Sequence, residues 1–355
     1  MKNSSSRRQF LATSAGVGIA SVAGCTSGGG GGTLSLIDWD YVYSDDALAG
    51  FEDRTGIQVD RQSAQSSAEN LSLMRAGRSD HDIVPLGNYA VTPAMDEGLI
   101  QPIDLDAVPA YEDIFDFVKK SYFETDGGIY GVPRSFGQTP LAVNTDLVDR
   151  PVTSLADLFD PELEGLIGGR DDARLQFLYE RAAAGKEQLN PTSAADVDFD
   201  RTRQRLAEHA SLAGGLWTSG GNSGELMRNE QVGVQPVWNY ITVSLQEEGL
   251  PIQKVYPEEG TKAWFIQLCV REGAENVEEA HRFIQDWHEY MGYESLMAPS
   301  SIAVPNAAVF DQNGVDKAAF GLDDPDQFLY EDPKPQSLIR RYTEVWNEAK
   351  TGIDV

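Results

Sequence analysis

The sequence predicts an α/β protein of two domains, its parallel sheets covered by helices, and three observations predict it. From Leu34 onward short apolar runs alternate with amphipathic stretches in a strand–helix–strand order, the pattern of parallel strands joined by crossover helices. Hydrophobic residues make up 41% of the chain, enough to bury a sizeable core. The length of 355 residues accommodates two domains at roughly 150 residues each.

A strand is expected over residues 34–38, then a helix over 45–54, where Asp45 and Asp46 complement the helix N-terminus and Gly56 supplies its end. Residues 57–61 read as a strand, 69–76 as a helix and 81–86 as a strand. Further strands are expected at 128–132, 140–144, 166–168, 232–238, 252–256 and 263–270. Further helices are expected at 171–184, 199–208, 224–229, 277–291 and 334–350.

Charge narrows the function. Lys and Arg total 28 against 56 Asp and Glu, which gives a formal net charge of −28. An ordinary nucleic-acid binder, whose footprint is basic, is excluded. The acids run from Asp38 to Asp354 without clustering, so they read as a general surface property. Such a surface repels itself at moderate ionic strength, whereas near 1 M salt the Debye length falls to about 3 Å. A halophilic protein is therefore expected.

The N-terminus assigns a compartment. Lys2, Arg7 and Arg8 precede an apolar run over residues 10–23 that is diluted by Thr13, Ser14, Gly16, Gly18 and Ser21. That run is shorter than the ~20 residues of a spanning helix and reads as an export signal over residues 1–24. Within it, Ser6-Arg7-Arg8-Gln9-Phe10-Leu11 resembles the twin-arginine export motif. Val22-Ala23-Gly24-Cys25 resembles a lipobox, in which Cys25 becomes the lipidated mature N-terminus. Residues 25–33, with glycine throughout 28–32, form a flexible tether reaching on the order of 16 Å. Removing residues 1–24 takes three basic residues and no acid, which moves the formal charge from −28 to −31.

The ordered body then resembles a known family. It carries Asp38-Trp39, the run from Phe51 through Gly56 to Val59, and His81-Asp82-Ile83-Val84 leading to Tyr89. Gly98-Leu99-Ile100-Gln101-Pro102-Ile103-Asp104, Tyr130-Gly131-Val132-Pro133 and Thr153-Ser154-Leu155-Ala156-Asp157-Leu158 follow. Asp171-Asp172-Ala173-Arg174, Val237-Trp238-Asn239, and Pro257-Glu258-Glu259-Gly260 before Trp264 complete the order. In this shared order the chain is similar to the extracytoplasmic solute-binding proteins of ABC importers, in particular the spermidine/putrescine type.

That resemblance implies a two-lobed periplasmic-binding-protein-like fold with a ligand cleft between the lobes, crossed by strands at residues 140–144 and 265–270. Lobe one is expected at 33–140 plus 267–302 and lobe two at 141–266 plus 303–355. A small solute, an ABC permease with its ATPase, and the membrane reached through Cys25 are the implied partners, with the chain a monomer at the outer face of the membrane. No nucleic acid, cofactor or metal is expected.

For a polyamine, aromatic faces take the cations and carboxylates take the terminal ammoniums. The matching positions are Trp39, Tyr89, Trp238 and Trp264, with Phe136 nearby, and Asp172 among the acids; Asp40 is a candidate replacement acid. Two family acids are missing, since Leu175 and Ile266 stand in their places. A zwitterionic, neutral or anionic solute therefore stays open beside a polyamine or related amine. The loop 219–224 offers Ser219, Asn222 and Ser223 either to an anion or to a helix cap.

Catalysis finds little support. His281 and His288 are two turns apart, too far for a zinc helix, no Gly-x-Ser-x-Gly elbow occurs, and Cys269 sits in an apolar strand as an inert thiol. A surface enzyme or an adhesin is the remote alternative.

Overall fold

The computed structural model describes residues 32–351 apart from 41, 65, 120–122, 126, 186–188, 294–302, 321 and 323. Cys25 and the expected export segment lie outside the described residues.

The first sheet grows from the initial alternation. β1 (Thr33–Asp38) pairs in parallel with β2 (Gln58–Ser63) and β3 (Ile83–Gly87). Between β1 and β2, helix α1 (Asp45–Thr55) starts where the Ser44 hydroxyl accepts the Ala47 amide at 3.0 Å. It ends at Gly56, whose φ of 74° is left-handed and lets its amide reach the Glu52 carbonyl. Helix α2 (Ser67–Arg75) is capped in the same way by Ser66.

Helix α3 (Asn88–Asp96) follows β3 directly and contains Pro93, which conceals it from periodicity rules. After β4 (Ile100–Gln101) and a small hairpin of β5 (Glu124–Thr125) and β6 (Gly128–Ile129) comes β7 (Val132–Thr139), buried along its whole length.

Pro140, with no amide to give a ladder, separates β7 from β8 (Leu141–Asn144), and there the chain enters the second sheet. That sheet adds β9 (Ile167–Arg170), the helices α4 (Ala173–Ala183) and α5 (Phe199–Leu212), β10 (Ala213–Trp217), α6 (Gly220–Arg228), β11 (Val234–Pro236), α7 (Asn239–Glu247) and β12 (Ile252–Val255). Its strand order is β10-β9-β11-β8-β12.

The eleven-residue β13 (Thr261–Arg271) returns to the first sheet, antiparallel to β7, β3 and β4. Helix α8 (Val277–Asp286) continues into a π-helical turn at Trp287–Met291, so the single helix expected over 277–291 changes its hydrogen-bond period midway. After α9 (Ala307–Asn313), β14 (Phe328–Leu329) lies parallel to β13. The chain then crosses once more to α10 (Gln336–Ala349), whose Tyr342 stacks on Phe177 of α4 with ring centroids 3.8 Å apart.

The sheets do not divide at the expected residues. Residues 261–266 and β14, expected with the second lobe, run in the first sheet, because residues 262–266 of β13 pair with β7 and β14 pairs with β13. Among the described residues three connections therefore pass between the two sheets and their helices: Pro140, residues 256–260 and residues 330–335. No helix among the described residues is long and apolar enough to cross a membrane.

Candidate ligand cleft

Side chains from both sheets, and Glu331 from the last connection, line one cavity of about 170 Å³. The first sheet contributes Trp39 after β1, Asn88 and Tyr89 at the start of α3, Arg134, Ser135 and Thr139 of β7, and Lys262, Trp264 and Ile266 of β13. The last three alternate along the strand, so period two places them on one face. Across the cavity stand Arg170 at the end of β9, Arg174 and Leu175 in the first turn of α4, and Trp238 and Tyr240 at the start of α7.

Two backbone features shape the wall. Between β7 and β13 the register slips at Ile266/Gln267, so that Ser135 and Pro133 are paired and Arg134 is the extra residue of a bulge. A bulge re-aims side chains, and Arg134 is carried into the cavity lining beside Ser135. Opposite Trp264 stands Gly137, where the ring lies flat against the backbone; a Cβ there would meet Trp264 Cζ2 at 2.0 Å.

The charge of the lining is opposite to that of the whole chain. Arg134, Arg170, Arg174 and Lys262 face the cavity, with Glu331 as the single carboxylate in its wall among the described residues. Glu331 is already engaged, 3.1 Å from Arg174 Nη1 and 3.7 Å from Lys262 Nζ. Burial pushes the Lys262 ammonium down to about 8, with Arg174 and Arg170 adding to the fall and Glu331 opposing it. Burial also raises the Asp38 carboxyl against the pull of Arg134. The two meet at 3.5 Å, and Asp38 accepts the Trp39 amide and the Tyr43 hydroxyl.

The arginines also occupy aromatic faces. Arg174 Cζ lies 3.8 Å from the centroid of Tyr89, Arg170 5.1 Å from Trp238 and Arg134 5.7 Å from Trp39. Several donors at the wall have no hydrogen-bond partner among the described residues: Arg134 Nε and Nη1, the Trp264 indole nitrogen, and the hydroxyls of Ser135 and Thr139. Such a wall can pair hydrogen-bond acceptors through these donors and cover apolar groups with its rings.

Of the residues expected from the sequence, the structure brings Trp39, Tyr89, Trp238 and Trp264 together in this lining. Phe136 is not among them; it is a core side chain stacked on Phe265 at 5.9 Å and set edge-on to Phe328 at 5.3 Å. Asp40 is exposed off the cavity and accepts the Ser63 hydroxyl at 2.8 Å.

Asp172 is also outside the lining. It caps α4 by accepting the Arg174 amide and bonds the Arg174 guanidinium at 2.8 Å. Burial alone would raise its carboxyl, but Arg174 and Arg170 together hold it below the ordinary value. Ser219 caps α6 by accepting the Asn222 amide, Asn222 Oδ1 accepts the Thr218 amide, and Ser223 bonds the Gly220 carbonyl from a buried position. The loop thus satisfies itself as a capping turn.

Sequence reasoning missed Arg134, Arg170, Arg174, Lys262 and Glu331. Lys262 was within reach, since it lies two residues before Trp264 on the same strand face. Arg134 was not, because its direction depends on the bulge.

With this geometry in view, the comparisons are specific. The family model of the bacterial extracellular solute-binding protein matches residues 46–318. The chain belongs to that family. It is 27% identical over 256 residues to the spermidine/putrescine-binding periplasmic protein of Escherichia coli, covering 71% of each chain. In fold it is similar to the spermidine/putrescine ABC transporter substrate-binding protein of Streptococcus pneumoniae, with a TM-score of 0.77 at 19% identity, covering 90% of this chain and 98% of that one. A lipoprotein of Treponema pallidum gives a TM-score of 0.75 at 18% identity, covering 90% and 99%. The two-lobed α/β architecture is shared with these binding proteins.

Proposed function

We propose that this chain is the receptor of an ABC importer, held at the outer face of the membrane by a lipid on Cys25 after twin-arginine export, and that it delivers one small organic solute to the permease. The observation that carries the reading is the cavity itself, walled by rings and polar groups from two sheets that three short connections join. Such a cavity suits hinge closure around a bound molecule. Membership of a solute-binding family supports the role, and a structural relative named as a lipoprotein is consistent with the anchor.

Kinship makes an amine of the polyamine class the first candidate solute, since the Escherichia coli relative is named for spermidine and putrescine. One observation favours the alternative of a solute bearing an anionic group: the wall presents four cationic side chains and one carboxylate.

A thermal-shift screen of polyamines, amino acids, sugars, metals and organic anions in molar salt tests the receptor role. A saturable one-to-one binder that compacts the protein is expected, and a screen with no binder refutes the role. Cys25→Ala is expected to move the protein from the membrane to the soluble fraction; retention in the membrane would refute the lipid anchor.

A further inference from the structure

The lining of the cavity constrains the chemistry of its occupant more tightly than kinship does. A protonated polyamine consists of donors and methylenes and has no acceptor to offer. Arg134 Nε and the Trp264 indole nitrogen are donors only, and neither has a hydrogen-bond partner among the described residues, whereas Arg134 Nη1 is ion-paired with Asp38 at 3.5 Å. The Arg134 side chain is 2% exposed, so water does not readily compensate, and a buried donor without a partner is costly. A polyamine would leave both of these donors unpaired and add further positive charge beside them.

The other two requirements of an ammonium ligand also fail here. The faces of Tyr89, Trp238 and Trp39 each already carry an arginine. The single wall carboxylate, Glu331, is already shared between Arg174 and Lys262. Arg170, by contrast, is held over the rings of Trp217 and Trp238 and forms no ion pair among the described residues. A cation positioned by aromatic faces at a cavity wall, acting on Asp172 only through its field because that carboxylate bonds Arg174, is a seat for an anion.

We propose that the solute carries a carboxylate or a comparable oxyanion, held by Arg170, Arg134 and Lys262 with the Trp264 indole as a neutral donor, and that the rest of the molecule lies against the open side of the Trp264 ring. This rests on the receptor reading above and names the chemical class of its solute. An amine elsewhere in the same molecule is compatible with it; a ligand of ammonium groups alone is not.

The test is calorimetric titration of the full chain in molar potassium chloride with probes of equal length, succinate, gamma-aminobutyrate and putrescine, and with inorganic phosphate. Saturable one-to-one binding of a carboxylate probe or of phosphate is expected, with roughly ten- to hundredfold loss in Arg170→Gln and no saturable binding of putrescine. Preference for phosphate over both carboxylates would identify the oxyanion as a phosphate. Arg134→Gln repeats the test from the other side of the cavity, and Arg170 is only half-buried, so its variant is the one expected to fold without difficulty.

Putrescine binding without carboxylate or phosphate binding overturns the inference and leaves the receptor role standing. Carboxylate binding of equal strength in both variants overturns the assigned residues. Failure of every probe, together with failure of the wider screen, overturns the inference and the receptor role alike.

Discussion

Gly137→Ala is the sharpest probe of the cavity wall. Gly137 pairs directly with Trp264 across β7 and β13. An added Cβ would fall 2.0, 2.4 and 2.6 Å from three atoms of the indole, whereas ordinary contact begins near 3.4 Å, so the ring must retreat by about 1.4 Å. The backbones of both strands are fixed by their ladder, and the ring's open side is the cavity of about 170 Å³. Overpacking of this kind costs about 1 to 3 kcal/mol, and the displaced ring takes volume from the ligand. Guanidinium unfolding in molar salt should show that loss, tryptophan emission should shift, and affinity for any bound solute should fall at least about tenfold. The double variant Gly137→Ala with Trp264→Gly should recover part of the stability, since the two changes share one contact. Wild-type stability, emission and affinity in Gly137→Ala would mean that the indole does not lie over Gly137, and the wall as described would be wrong.

Other outcomes follow from buried titrating groups and from surface charge. Lys262, with its pKa lowered to about 8, should make binding of an anionic solute about tenfold weaker at pH 9 than at pH 7, and Lys262→Met should flatten that profile; a flat profile in the wild type would contradict it. The same depression means that the unfolded chain binds the extra proton above pH 8, so Lys262 makes stability rise with pH from about 8 toward its ordinary 10.5. His288 is buried, neither ring nitrogen has a partner among the described residues, and burial takes its pKa from 6.5 down to about 3. The unfolded chain therefore gains the proton first on acidification, and at pH 5 this imidazole should cost about 2 kcal/mol of stability relative to neutrality. Denaturant midpoints at pH 7 and pH 5 should differ less in His288→Phe than in the wild type, and equal differences would count against it. A chain with a net charge of −28 should also lose its cooperative transition on dialysis from molar to millimolar salt, and an unchanged melting temperature would end the halophile reading.

The fold was largely legible because its strands and capped helices obey local rules. Ser44, Asp45 and Gly56 mark α1 at both ends, and the apolar alternation marks β1 to β3. Helix α7 escaped detection because Ile241, Thr242 and Val243 are β-branched and favour strand in isolation, whereas in the fold Leu245 is buried in the core of the second sheet and Ile241 packs against that core. The site was legible in its rings and obscure in its charges. Asp172 reads equally as a ligand acid and as a helix cap, and only the position of Arg174 decides for the cap. Glu331 is remote in sequence from both its partners, and no local pattern joins it to Lys262 or Arg174.

The cationic lining inside an acidic exterior has a kinetic consequence. Long-range fields govern how often a charged solute arrives, whereas short-range contacts govern how long it stays. At low ionic strength the acidic coat would turn away an anionic solute of the kind proposed above. Near 1 M salt the field of the coat dies within about 3 Å of its surface, while Arg134 and Lys262, buried in the wall, are shielded far less. Association of such an anion should therefore quicken as salt is added, the reverse of the usual behaviour of charge-steered encounters, and brine becomes what opens its approach to the cleft.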